Sequence, residues 1–166
     1  MTQPGTDHVG RIMAQWAAAR PDLDASPQGV IGRLHRLAAR LTEELVAVYG
    51  RYGLGEGEFD VLATLRRAGA PYELTPGELA AQTMVSSGAV TKRVDRCVEQ
   101  GWVTRRVSDD DARGRVVALT DAGRALIDEA FTAHMANEHR LVGALDERER
   151  ARLADLLEQW GRALDA

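Results

Sequence analysis

The sequence predicts a mainly α-helical fold with one small β-hairpin. Apolar residues recur at helical spacing over most of the chain, and only residues 102–107 and 115–119 alternate as strands do. Apolar residues make up 45% of the 166 residues but aromatic residues only 5%, so a single core of Leu, Val and Ala is expected. Because two short helices directly precede the hairpin, we predict a winged helix-turn-helix.

The N-terminal part of the chain is predicted to form two helices. Residues 7–20 give a short amphipathic helix, which Pro21 ends. Ser26 as the cap and Pro27 as the first helical residue begin a second helix that runs to about Arg51. This helix is far longer than the ~10–14 residues typical of globular proteins. Its length indicates packing against more than its own domain.

The central part of the chain begins with two short helices. A third helix is predicted over residues 58–67. Thr75, Pro76 and Glu78 then form a capping box with proline at the first helical position. A fourth helix is therefore expected to begin there and to end at Thr83.

A fifth helix follows, for which Ser86 and Ser87 are both candidate caps and Gly101 is the stop. Its predicted buried stripe, at spacings i, i+4, i+7 and i+8, is Val90, Val94, Cys97 and Val98. The opposite face is small and hydroxylic, which suits close approach to base edges and phosphates. A plain solvated face is the alternative interpretation, but the wing that follows favours DNA contact. The predicted DNA-contacting residues on this helix are Ser86, Ser87, Thr91, Lys92 and Arg96.

Both ends of the chain carry apolar helices that their own chain cannot cover. Thr120 caps a helix that runs to about Val142, and Asp146 with Glu149 caps the last one. Since too little of the chain remains to bury these helices, we predict a homodimer. The single structural domain is expected to consist of an N-terminal extra helix with a long dimerisation helix, a DNA-binding winged helix-turn-helix, and C-terminal dimerisation helices, over residues 1–52, 53–120 and 121–166.

Composition excludes several classes of protein. The net charge is −4, yet residues 86–119 hold seven Lys or Arg against five Asp or Glu, a weak basic footprint. The single cysteine, Cys97, excludes an internal disulfide framework, and no apolar run approaches the ~18 residues of a membrane span. No nucleophile–base pair, phosphate loop or metal-ligand spacing stands out. We therefore predict a cytoplasmic protein that is not an enzyme and uses no metal or cofactor.

The wing carries a specific sequence pattern. An Asp-Ala-Arg run, residues 111–113, ends the hairpin loop, and a Leu-Thr-Asp-Ala-Gly run, residues 119–123, closes the second strand. In order and spacing this pattern resembles the MarR family of bacterial transcription regulators. The resemblance implies a dimer on a pseudo-palindromic operator, with Arg113 entering the minor groove and Asp111 orienting it. Arg115 is also predicted to contact DNA, with an ordinary turn cation as the alternative.

Four separated residues match a narrower branch of that family. The urate-responsive members, the HucR and PecS types, are similar in four respects: an extra N-terminal helix with a tryptophan, a G-x-x-D-x-L-x-T-L run, an arginine on the recognition helix, and an arginine early in the wing. The counterparts here are Trp16, Asp60, Arg93 and Arg105, with the run at residues 57–65. Singly, each has an ordinary explanation; by helical period alone, Asp60 is a solvated charge.

The resemblance implies a binding site for urate or a related purine. An indole packs on a flat ring, a carboxylate accepts from ring N–H groups, and a guanidinium pairs with an anionic edge. Trp16 and Arg105 are expected to contact only the ligand, whereas Asp60 and Arg93 are also expected to pair with each other. An anion beside Asp60 would strain that pair and shift the recognition helix.

The predicted function is therefore a DNA-binding repressor that releases its operator on binding urate, xanthine or a similar small aromatic anion. Two alternatives remain open. One is a regulator of efflux or catabolic genes that responds to a phenolic or antibiotic ligand. The other is a helical interaction protein whose winged motif has lost DNA binding. Cys97 lies in the apolar stripe and is expected to be a small buried hydrophobe rather than a redox switch.

Overall fold

The computed structural model describes residues 7–83, 90–107 and 115–165 of the chain. It confirms a mainly helical fold with a small antiparallel sheet. In chain order, the elements of the described ranges are α1 (His8–Ala19), α2 (Gln28–Gly50), α3 (Glu56–Arg67), β1 (Glu73–Leu74), α4 (Pro76–Gln82), α5 (Val90–Glu99), β2 (Val103–Val107), β3 (Arg115–Leu119), α6 (Asp121–Leu141) and α7 (Glu147–Leu164). None of these helices is long and apolar enough to cross a membrane.

Strand β3 lies in the middle of the sheet and pairs antiparallel with both β1 and β2. The β2–β3 hairpin runs from Val103 opposite Leu119 to Val107 opposite Arg115, as the alternation predicts. The sequence does not predict β1, because two residues are too few to show an alternating pattern. This segment is a strand only through its pairing with β3, which is distant in sequence.

The chain divides into two compact units, Met1–Glu44 and Leu45–Ala166. In the first unit, α1 begins at the cap Asp7, whose carboxylate accepts a hydrogen bond from the Gly10 N–H at 2.8 Å. The same carboxylate lies 2.9 Å from the Arg33 guanidinium, which lowers the pKa of Asp7 to about 2. Val9 is buried against Gly32, where an added Cβ would lie 3.2 Å from a valine methyl group. The close approach of α1 to α2 therefore depends on this glycine.

In the second unit, the core is built around α3, which packs against α4, α5, α6 and β3. Its aliphatic part includes Leu62, Leu65, Leu79, Val94, Cys97, Val103, Val117 and Ile127. At one end the rings of Tyr49 and Phe59 stack with their centroids 4.0 Å apart, and the buried His134 lies beside both. As composition predicts, aliphatic side chains form most of this core.

The predicted caps of α4, α6 and α7 are confirmed, whereas the candidate caps Ser86 and Ser87 lie outside the described residues. Thr75 Oγ1 accepts from the Glu78 N–H at 3.2 Å, and the Glu78 carboxylate accepts from the Thr75 N–H at 2.8 Å. Thr120 and Asp146 cap α6 and α7 with their own side chains. Caps depend on residues three apart in sequence, so they can be identified without knowing the fold.

Helix α3 begins two residues earlier than predicted and is covered on several sides. The Glu58 carboxylate accepts from the Gly55 N–H at 2.8 Å, which makes Gly55 the cap. Asp60 is only 9% exposed, so the expectation from helical period that it is solvated is wrong. The helical spacing of apolar residues identifies the one face that a helix buries most strongly. Helix α3 is covered by neighbouring elements on more than one face.

Helix α7 buries none of its residues within the chain. Four leucines on it, Leu153, Leu156, Leu157 and Leu164, are 42–73% exposed. Val98, which was expected in the buried stripe of α5, is also 37% exposed. At ~100° per residue it lies about 80° around the helix from Val90, at the edge of the stripe.

Candidate functional site

The outer face of α5 carries the described part of the predicted DNA-contacting set. Thr91, Lys92 and Arg96 are exposed, while Val90, Val94 and Cys97 on the other side are buried. Arg115 is exposed at the start of β3. The other three predicted DNA contacts, Ser86, Ser87 and Arg113, lie outside the described residues, as does the loop that joins β2 to β3.

Two ion pairs hold α5 against its neighbours. The guanidinium of Arg105 on β2 pairs with the Asp95 carboxylate, and its Nη2 donates to the Thr91 carbonyl at 3.4 Å. Arg96 Nε lies 3.7 Å from Glu58 Oε1 on α3. The expectation that Arg105 contacts only a ligand is therefore wrong, because its charge is already paired within the chain. Arg96 combines an exposed position suited to DNA with a contact to the cap of α3.

The thiol of Cys97 is fully buried beneath α5. Burial raises its pKa to about 12, with the nearby Glu58 carboxylate adding to the shift. A thiol with so high a pKa carries almost no thiolate near neutral pH, and thiolate is the reactive form. Cys97 therefore behaves as the small core hydrophobe that the apolar stripe predicts.

Helices α3 and α5 both carry buried polar atoms. Within the described part of the chain, three buried side-chain atoms have no hydrogen-bond partner: Asp60 Oδ2, Thr64 Oγ1 and Arg93 Nη1. The stem of Arg93 crosses from α5 onto α3 at Gly57, where an added Cβ would lie 2.4 Å from its Nε and 2.5 Å from its Cδ. We refer to Gly57, Asp60, Thr64 and Arg93 as the α3–α5 cluster.

The expected pair is not formed: no ion pair or hydrogen bond joins Asp60 to Arg93 among the described residues, and each side chain keeps one unpartnered buried atom. Unpartnered buried polar atoms are costly, and buried charges most of all. Such groups concentrate where a protein stores strain or binds a ligand. The α3–α5 cluster offers a cationic donor, an anionic acceptor and a hydroxyl that can act as either.

The three predicted ligand residues of the second unit, Asp60, Arg93 and Arg105, do not form one connected set. Arg93 reaches the helix that carries Asp60, whereas Arg105 is held by Thr91 and Asp95. Trp16 lies on α1 in the first unit and is 47% exposed. Gly57 and Thr64 were not predicted as site residues, although both belong to the run at residues 57–65 that indicated Asp60.

A second feature, which the sequence does not predict, is a cleft of about 410 Å³ beside α5. It is lined by Pro76, Thr91, Arg105, Arg115, Val116 and Val117. Apolar walls with two guanidinium groups suit a small aromatic anion. Within the described ranges, no group of three or more His, Cys, Asp or Glu side chains is placed to hold a metal ion.

Comparison with known proteins identifies the family and the fold. The MarR family model matches residues 52–114. The transcriptional regulator PecS of Dickeya dadantii strain 3937 is 39% identical over 149 residues, which cover 90% of each chain. A MarR variant from E. coli, in a crystal structure with operator DNA, has a TM-score of 0.69 at 29% identity, covering 82% of this chain and 98% of that one.

A third similarity supports the fold. AbsC, a MarR family regulator from Streptomyces coelicolor, has a TM-score of 0.77 at 21% identity, and the match covers 86% of this chain and 97% of AbsC. The PecS relative spans nearly the whole sequence at high identity, and the family model covers the helix-turn-helix and the start of the wing. The chain therefore belongs to the MarR family of transcriptional regulators.

Proposed function

We propose that this regulator is a homodimeric repressor that releases a pseudo-palindromic operator on binding urate or a related purine. The observation that carries the proposal is the α3–α5 cluster, in which Asp60 and Arg93 keep unpartnered buried atoms. Arg93 is next to the exposed Lys92 in the sequence, on the helix proposed to read DNA. A ligand that binds Arg93 therefore acts directly on α5, the recognition helix, which is called the reading helix below.

On the DNA side, α5 enters the major groove and the β2–β3 wing approaches the minor groove. The proposed contacts described here are Thr91, Lys92, Arg96 and Arg115, all of them exposed. The remaining proposed contacts are Ser86, Ser87 and Arg113. The crystal structure of a MarR relative with operator DNA supports this role for the same fold.

On the ligand side, the chemistry of the α3–α5 cluster favours a purine anion. Arg93 Nη1 can donate to an anionic oxygen or ring nitrogen, and Asp60 Oδ2 can accept from a ring N–H. A simple benzoate satisfies Arg93 but has no N–H group for the aspartate. We propose that Arg105 approaches the ligand after leaving Asp95, whereas the stacking role of Trp16 stays a prediction from the sequence.

Coupling follows from the position of Arg93. Its stem lies on α3 while its backbone belongs to α5, so a ligand that engages its guanidinium acts on both helices. Ligand and DNA then favour two different arrangements of α5. Each therefore lowers the protein's affinity for the other by the same factor. Couplings of this kind usually amount to about 5- to 150-fold.

A homodimer is supported by the exposed leucines of α7 and by exposed apolar residues on α2 and α6, including Leu37 and Phe131. Large apolar side chains that are exposed together on one helix mark an interaction surface. In a two-fold dimer the same surface of each protomer forms the interface. The two winged helix-turn-helix regions then contact operator half-sites about 10 bp apart or a multiple of that distance.

A second candidate function rests on the cleft beside α5. In this alternative a phenolic carboxylate, rather than a purine, binds between Pro76 and the guanidinium groups of Arg105 and Arg115. Binding there would break the Arg105–Asp95 pair and release the wing from α5. The two candidates differ in the residues that hold the ligand, Asp60 in one and Pro76 with Arg115 in the other, so they can be separated experimentally.

The test is an operator titration by fluorescence anisotropy, using the DNA upstream of the gene, with urate, xanthine or salicylate added. Asp60→Asn is expected to remove the response to urate and xanthine, because the acceptor for the ring N–H loses its charge. Asp121→Asn, at a side chain that is 99% exposed, serves as the matched control and should respond like wild type. If wild type responds to salicylate but not to purines, and Asp60→Asn keeps that response, the cleft is the ligand site.

A separate prediction concerns Lys92, the only lysine in the chain. Lys92→Ala is expected to weaken operator binding about 5- to 150-fold if the side chain reads a base, and less if it meets only phosphate. The slope of affinity against salt should also fall by about one. Arg51→Ala, at another exposed cation, is the control. Because the chain has no other lysine, operator DNA should also protect Lys92 from acetylation, and unaltered labelling would contradict this docking.

A further inference from the structure

The α3–α5 cluster contains one polar group that the proposed function does not use. Thr64 is completely buried, and its Oγ1 has no hydrogen-bond partner. A threonine inside a helix usually directs its hydroxyl to the carbonyl one turn earlier or out to solvent. Thr64 does neither. A buried hydroxyl without a partner lowers stability, so its presence needs another explanation.

The positions of the cluster residues on α3 follow one face of the helix. Gly57, Asp60 and Thr64 are spaced i, i+3 and i+7, which places them in one row. Leu62 and Leu65, in the same segment of sequence, belong to the aliphatic core. The glycine, aspartate and threonine of the pattern at residues 57–65 thus share a face, while its leucines pack inward.

Each member of this row has a distinct role in the geometry. Gly57 leaves room for the stem of Arg93, which a Cβ would contact at 2.4 Å. Asp60 supplies an anionic acceptor, and Thr64 supplies a hydroxyl about one helical turn further along, at ~6 Å of axial rise. Two polar groups at this separation on one helix face match two polar atoms spaced along one long edge of a fused bicyclic ring. A benzoate with an ortho hydroxyl is a single ring and has no such long edge.

We propose that Thr64 is a specificity-determining residue, whose hydroxyl binds a second polar atom on the long edge of an oxopurine that Asp60 also binds. The proposal rests on the proposed function of the α3–α5 cluster and adds the reason for preferring a bicyclic ligand to a monocyclic one. Because all three unpartnered atoms are buried, a ligand reaches them only when α3 and α5 separate. Ligand binding at Thr64 therefore requires movement of the reading helix.

The test compares Thr64→Val, which replaces the hydroxyl by a methyl group of similar size, with Thr64→Ser, which keeps the hydroxyl. Binding of urate, xanthine and salicylate is measured by calorimetry, and stability without ligand by thermal unfolding. Thr64→Val should keep or raise the unfolding midpoint, because it removes an unpartnered buried hydroxyl. It should also weaken urate binding roughly tenfold, the loss expected for one hydrogen bond, and leave salicylate binding unchanged.

Thr64→Ser should bind urate within about twofold of wild type, which a purely structural role for the hydroxyl does not require. Thr64→Ala provides the same loss of hydroxyl if the extra methyl group prevents folding. The proposal is overturned if Thr64→Val, or Thr64→Ala in its place, binds urate as wild type does, or if Thr64→Val lowers the unfolding midpoint. If wild-type protein binds no purine at all, the proposed function fails as well, which distinguishes the two failures.

Discussion

Leu156→Asp is expected to dissociate the dimer and, with it, to remove tight operator binding. Leu156 is 52% exposed on α7, a helix that buries no residue within its own chain. In the proposed dimer this leucine is covered by the partner. Burying a leucine is worth about 1.5–3 kcal/mol, and burying an unpaired carboxylate costs several more.

The effect of Leu156→Asp is doubled by symmetry, because a two-fold interface contains each substituted residue twice. We therefore expect the dimer dissociation constant to rise by more than about a hundredfold. Operator affinity should also fall, since a pseudo-palindromic operator is bound by two winged helix-turn-helix regions. Sedimentation velocity measures the first effect, and fluorescence anisotropy with full and half operator sites measures the second.

Ala151→Asp is the matched control for Leu156→Asp. Five residues away on the same helix, it lies ~140° around the axis from Leu156 and at least ~120° from the other three exposed leucines, so it introduces the same charge on the opposite face. It should remain dimeric and bind the operator. If Leu156→Asp is a dimer with wild-type operator affinity, α7 does not form the interface, and the exposed residues of α2 and α6 become the remaining surface to test.

Features that depend on residues close in sequence were predicted correctly, whereas features that depend on packing between distant elements were not. The caps at Thr75, Thr120 and Asp146 were predicted correctly because each depends on contacts three residues apart. The burial of Asp60 was predicted wrongly because it depends on four other elements that pack around α3. Strand β1 was missed because its partner in the described part of the chain is β3, more than 40 residues later.

The same distinction applies to the candidate site. The types of residue were identified from short patterns, but their partners were not. Arg105 pairs with Asp95 across two elements, and no spacing in the sequence predicts that contact. Gly57 and Thr64 were present in the pattern, yet their roles depend on Arg93 arriving from another helix. A sequence pattern thus indicates which side chains share a site, whereas the site's contacts depend on helix packing.

Gly57→Ala is expected to impair operator binding by displacing Arg93, and Arg93→Ala is expected to suppress part of that effect. An alanine Cβ at this position would lie 2.4 Å from Arg93 Nε and 2.5 Å from Cδ. These atoms lie in the middle of the side chain, so the stem of Arg93 must leave α3 or α5 must shift. Overpacking of this kind costs about 1–3 kcal/mol, enough to change operator affinity roughly 5- to 150-fold.

Without the clash against Arg93, Gly57→Ala should raise the free energy of unfolding. Alanine is about 1 kcal/mol more favourable than glycine within a helix. In an Arg93→Ala background the clash is gone, so Gly57→Ala should then raise the unfolding midpoint instead of lowering it. The double variant should bind the operator no worse than Arg93→Ala alone, because the two residues share one contact.

Gly77→Ala is a closely matched control for this cycle. Gly77 is the second residue of α4, as Gly57 is of α3, but an added Cβ there meets no atom within 4 Å. Gly77→Ala should therefore stabilise the protein slightly in both backgrounds. Thermal unfolding and operator anisotropy of the single and double variants complete the cycle. If Gly57→Ala has the same effect on stability and affinity with and without the Arg93 side chain, the contact between α3 and α5 does not transmit ligand binding to the reading helix.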